Sequence, residues 1–124
     1  MINEYKHPNT KWEEIKNDIE IDIINDKYRS AQKVPSISAL GEIYNIGRST
    51  AKKILDSLCS DGIIMQQQGV GYFVKPLTKE ILRKKHMDML KDNIKGTILL
   101  GNKLVDKEEL TQMINEEINN IYSR

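Results

Sequence analysis

The chain is poor in the residues that build disulfide-bonded, collagenous or membrane proteins: 124 residues include one cysteine, one tryptophan, one phenylalanine and three prolines. A lone thiol, Cys59, excludes a disulfide framework within one chain and fits a reducing compartment. No apolar run approaches the roughly 20 residues needed to cross a bilayer, and no apolar segment opens the chain as a leader would. The expectation is a soluble, cytoplasmic protein with no membrane partner. Charge of one sign is also missing. Nineteen basic and eighteen acidic residues leave a net charge of +1. Any contact with phosphate must therefore rest on a local cluster rather than on the field of the whole molecule. The two histidines, His7 and His86, lie far apart and lack ligand spacing, so surface roles are expected and no metal or cofactor is indicated. No Ser/His/Asp set, phosphate-binding loop or paired carboxylates suggests an enzyme.

The informative stretch runs from Pro35 to Leu58. Ile37, Leu40, Ile43 and Tyr44 fall at helical spacing, and so do Ala51, Ile54, Leu55 and Leu58. Between them Asn45-Ile46-Gly47 is too short to be a loop of its own. Ser36 suits an N-cap, and Asn45 suits the left-handed residue that ends a helix. Two helices joined by so short a turn make a helix-turn-helix. The second opens with Arg48, Ser49, Thr50 and Lys52, donors suited to base edges and phosphates at the start of a recognition helix. Lys53 adds a second ammonium, set against Glu42 and Asp56. Ile63-Ile64-Met65 and Tyr72-Phe73-Val74 are short β-compatible runs around Gly69-Val70-Gly71, which reads as a hairpin.

These residues resemble the GntR family of bacterial transcription regulators. Its pattern is close to L-P-S-x-R-x-L-A, then V-S-R-T-T-V-R-x-A-L, then a wing ending G-x-G-T-F-V. The chain offers Pro35-Ser36 and Leu40, then Arg48-Ser49-Thr50, then Gly69-Val70-Gly71-Tyr72-Phe73-Val74, across about Trp12 to Val74. The resemblance implies a winged helix-turn-helix and a DNA-contacting set of Ser36, Ser38, Arg48, Ser49, Thr50, Lys52 and Lys53, with Gln68 and Gly69 at the wing tip. It also exposes departures. Ser38 stands where the family has its first DNA-contacting Arg, and Gly47 where it has Ser. Lys52 replaces an Arg, keeping the charge but losing the planar fork. Gln66-Gln67-Gln68 replaces a basic wing.

The remainder reads as support. Thr10 and Glu13 have capping-box spacing ahead of a helix with Trp12, Ile15, Ile19 and Ile23 on its core stripe. Met1 to Asn9 reads as a loose arm, Tyr28 to Val34 as a connector, and Cys59 as a buried small hydrophobe. Beyond Pro76 a long helix is expected to about Leu100, with Gly101 as its stop. Its Arg83-Lys84-Lys85 run reads as a solvated face. A second helix, opened by Asp106 and Glu109, carries Leu110, Met113, Ile114, Ile118 and Ile121 on one face. Met87, Leu90, Ile94 and Ile98 line the first. Two isolated helices cannot hide both stripes, so a second copy of the chain is expected to cover them.

The fold class is thus mainly α with a small β-hairpin: a winged helix-turn-helix over residues 1–76 and a two-helix dimerisation tail over 77–124. A short tail of this kind resembles the YtrA subfamily and offers no room for a large ligand-binding domain; a small-molecule effector remains unnamed by any residue. The expected function is a dimeric, sequence-specific DNA-binding regulator, most simply a repressor. The alternative, favoured by Ser38, Gly47 and the uncharged wing, is a winged helix that binds protein.

Overall fold

The computed structural model describes residues 10–123. The elements run α1 (Lys11–Ile24), α2 (Ile37–Tyr44), α3 (Arg48–Ser60), β1 (Ile64–Gln67), β2 (Gly71–Val74), α4 (Thr78–Leu104) and α5 (Lys107–Tyr122). The chain is 68% helical, with one two-stranded antiparallel hairpin. Two compact units are distinguishable, one ending at Met87 and the other starting at Asp88.

In the first unit α1 and α2 begin where the sequence provides a side-chain cap. The Thr10 hydroxyl accepts from the Glu13 N–H and donates to the Glu13 carboxylate, so the pair is satisfied reciprocally. Ser36 accepts from the Ala39 N–H at 3.1 Å, and Asn45 ends α2 in the left-handed conformation, φ 53° and ψ 55°. The core is what the helical stripes demand. Ile15, Ile19 and Ile23 of α1, Leu40 of α2, and Ala51, Ile54, Leu55 and Leu58 of α3 are all buried. Ile63, Ile64, Tyr72 and Val74 close it from the hairpin, and Val34 and Leu82 complete it. Each fully buried Leu or Ile contributes about 1.5–3 kcal/mol relative to exposure, so the position of α3 is strongly determined by its four buried residues.

The hairpin pairs Ile64 with Val74, Met65 with Phe73, Gln66 with Tyr72 and Gln67 with Gly71. The Val70 N–H donates to the Gln67 carbonyl at 2.9 Å. Gly69, the third residue of that turn, has φ +79°, which glycine adopts without the cost other residues meet. The segment expected to be a mere connector does more. Val34 N–H donates to Tyr72 O, Val74 N–H to Gln32 O, and Ala31 N–H to Val74 O, and Lys33 is bridged to Phe73. The stretch before Pro35 thus acts as a third strand beside β2. It was too short to show alternation in the sequence.

Glu20 is fully buried, and two residues at the start of α4 satisfy it. Lys85 Nζ approaches its carboxylate at 2.8 and 3.1 Å, and His86 Nε2 lies 2.7 Å from Oε1. Lys85 and His86 are therefore not the plain surface residues the charge run suggested. Unpaired, such a carboxylate would be costly to bury. Leu82, one turn earlier, enters the core with 1% exposure. The opening turns of α4 thereby belong to the head's packing.

In the second unit α4 runs past Gly101 to Leu104, so Gly101 is not the stop expected from its residue type. It is buried instead: a Cβ there would fall 2.6 Å from a Leu110 methyl carbon. The missing side chain lets Leu110 of α5 sit against the α4 backbone. Asp106 caps α5, accepting from the Glu109 N–H at 2.8 Å. The apolar stripes face outward. Leu90, Ile94 and Ile98 of α4 and Met113, Ile118 and Ile121 of α5 are all exposed, as is Met87 at the end of the first unit. No helix among the described residues is long and apolar enough to cross a membrane. The expected loose arm, residues 1–9, lies outside the described residues.

Candidate nucleic-acid interface

The burial of Ala51, Ile54, Leu55 and Leu58 fixes which side of α3 faces away from the core. Arg48, Ser49, Lys52, Lys53 and Asp56 are exposed, and Thr50 is half-buried. Arg48 and Ser49 open the helix, and their N-cap Gly47 offers no side-chain bond to the first N–H groups. These donors remain at the positive end of the helix dipole, where anions are favoured. Among the described residues Arg48 has no side-chain partner.

The two lysines are engaged. Lys52 Nζ donates to Asp56 Oδ2 at 2.7 Å, one helical turn away, and that bond, with the Asp56 charge, raises the Lys52 pKa above its ordinary value. The carboxylate also places a negative charge on the exposed face, which opposes approach to phosphate. Lys53 Nζ lies 4.5 Å from the Trp12 ring centroid, a cation–π contact worth about 0.5–1 kcal/mol at exposed sites. Sequence reasoning placed Trp12 in the core stripe and missed this contact, since nothing in either residue's local pattern pairs α1 with α3.

The other expected contacts lie on neighbouring elements. The Ser36 oxygen is committed as the cap of α2, while its proton remains available to donate. Ser38 is exposed on the first turn of α2. Gln68 and Gly69 are exposed at the hairpin turn. Five of the expected residues, Arg48, Ser49, Thr50, Lys52 and Lys53, lie together at the start of α3, with the wing pair carried on a separate element. The exposed face of Lys33 beside β2 had no signal in the sequence. Cys59 is half-buried, and burial raises its thiol pKa. Among the described residues no cluster of His, Cys, Asp and Glu is arranged to hold a metal ion.

Comparison with known proteins agrees with this architecture. The model for bacterial regulatory proteins of the gntR family matches residues 11–74. The HTH-type transcriptional regulator GmuR of Bacillus subtilis is 29% identical over 108 residues, covering 87% of this chain and 43% of that protein. A probable fructoselysine utilization operon transcriptional repressor of Escherichia coli is 35% identical over 54 residues, covering 44% of this chain and 22% of its own length. The chain spans less than half the length of these curated relatives. Among solved structures, a GntR family transcriptional regulator from Listeria monocytogenes superposes with a TM-score of 0.71 at 19% identity, covering 90% of this chain and 98% of that one. The N-terminal domain of AraR, in complex with the mutant operator ORR3, superposes with a TM-score of 0.53 at 29% identity, over 56% of this chain and 99% of that one. The family match extends from the start of α1 through the wing, over more than half of the sequence: the chain belongs to the gntR family of bacterial regulatory proteins.

Proposed function

We propose that the protein is a cytoplasmic, sequence-specific DNA-binding regulator that acts as a homodimer, most simply as a repressor. Residues 1–76 bind DNA and residues 77–124 pair the subunits, in the manner of the YtrA subfamily. The observation that carries this reading is the start of α3. Arg48, Ser49 and Thr50 are presented at an uncapped helix N-terminus, on the side opposite a four-residue core contact. That terminus enters the major groove, where Arg48 reads a base edge. Ser36, Ser38, Ser49, Thr50, Lys52 and Lys53 position the helix or add readout, and Gln68 and Gly69 serve at the wing tip. The complexes of AraR with operator DNA support a DNA-binding role for the same fold. The outward apolar stripes of α4 and α5 support a two-fold partner, and a two-fold dimer calls for an inverted-repeat operator.

Selection of bound duplexes from a random pool at near-physiological salt tests the proposal. Enrichment of an inverted repeat with half-sites about one helical turn apart is the expected result. The competing reading is a protein-binding winged helix, favoured by the engagement of Lys52 and Lys53 within the protein and by the uncharged wing. Salt separates the two. Phosphate contacts make duplex affinity fall steeply as salt rises, whereas no enrichment by folded protein would point to a protein partner.

A further inference from the structure

The wing lacks a charge of its own. Between Asp61 and Lys75 the sequence contains no charged residue, so the turn at Gln68–Val70 has donors without long-range attraction. The third strand corrects this. Pairing of residues 31–34 with β2 sets Lys33 opposite Phe73. Its ammonium lies 5.9 Å from the Phe73 ring centroid. Its stem runs along β2 toward the turn: Cε and Nζ come within 3.4 and 3.9 Å of where a Gly71 Cβ would stand. Gly71 is the first residue of β2 after the turn, so the stem lies close beside the wing's own backbone. Lys33 is exposed, and among the described residues no carboxylate is paired with it.

We propose that Lys33 is the wing's phosphate contact, supplying from the neighbouring strand the cation that the hairpin does not encode. The inference rests on the winged helix binding DNA, as argued above. It extends that reading to a residue outside the recognition helix and outside the wing. The ligand is a backbone phosphate, so Lys33 contributes affinity and register with little base preference.

The test compares salt dependence of binding to one mixed-sequence duplex for the wild type, Lys33→Met, Lys33→Arg and Arg48→Met. Methionine keeps an unbranched stem against Gly71 and Phe73 and removes the charge. Melting curves establish that each variant is folded. Each lost phosphate contact lowers the slope of log affinity against log salt by about 0.9. Lys33→Met is expected to show that loss for every wing engaged, and Lys33→Arg to retain the wild-type slope. A wild-type, clearly salt-dependent slope for Lys33→Met would overturn the Lys33 assignment and leave DNA binding standing. Slopes near zero for all four proteins would overturn the DNA reading itself.

Discussion

At the scale of single residues, what distinguishes this recognition helix is how little of its charge is uncommitted. Arg48 stands alone at the open end, so Arg48→Ala is expected to cost about 1–3 kcal/mol of operator binding and to relax preference at one base pair. Affinity measured across a set of single-base operator variants would reveal both effects; an unchanged profile would remove Arg48 from base readout. Asp56 acts in the opposite sense. It holds Lys52 at 2.7 Å and adds an anion to the exposed face of α3. Asp56→Asn is expected to tighten duplex binding several-fold at low salt, with the gain shrinking as screening increases; equal affinity at all salt concentrations would show that Asp56 faces no phosphate. The residue types at the start of α3 were legible in the sequence because they coincide with a helix start and a short turn. The partners of Lys52 and Lys53 were less so. Asp56 sits at the i+4 spacing any helix supplies, but Trp12 meets Lys53 only through the packing of α1 on α3, which no local pattern encodes.

At the scale of elements, the head's helices and hairpin followed from spacing and caps, as Ser36, Asn45 and Gly69 illustrate. Two features did not. The strand at residues 31–34 is defined by its hydrogen bonds to β2 rather than by its own composition. Gly101 carries the residue type of a helix stop, yet it lies inside α4 because Leu110 occupies the space its side chain would take. Propensity favours ending a helix there by only about 1 kcal/mol, less than the contact it permits. Gly101→Leu is therefore expected to destabilise the α4–α5 hairpin by about 1–3 kcal/mol through overpacking. Chemical denaturation would measure the loss, and Leu110→Ala in the same chain should recover part of it. Full additivity of the two changes would show that the residues do not meet.

At the scale of the whole molecule, the tail leaves its apolar stripes exposed. Ile94 is 50% exposed and Ile98 46% exposed, with Leu90 on the same stripe. A charge in this stripe costs nothing to a solvated monomer and much to a packed pair. Ile94→Glu is expected to yield a folded monomer by sedimentation, with operator affinity reduced because two linked half-sites no longer reinforce each other. A wild-type sedimentation profile would place the subunit contact elsewhere.

The burial of Glu20 bears on how such regulators are recombined. A chimera that joins this head to another tail at Pro76, the natural place to cut by sequence, would discard Leu82 and both partners of the Glu20 carboxylate. The graft would keep every proposed DNA contact and still melt early, because the lost residues pack against the head. A junction after Met87 carries the donor's own lid with it. The comparison of the two junctions by thermal unfolding should favour the later one, and equal melting would mean that Glu20 tolerates water. Modularity in this chain thus ends about three helical turns beyond the place where its motif ends.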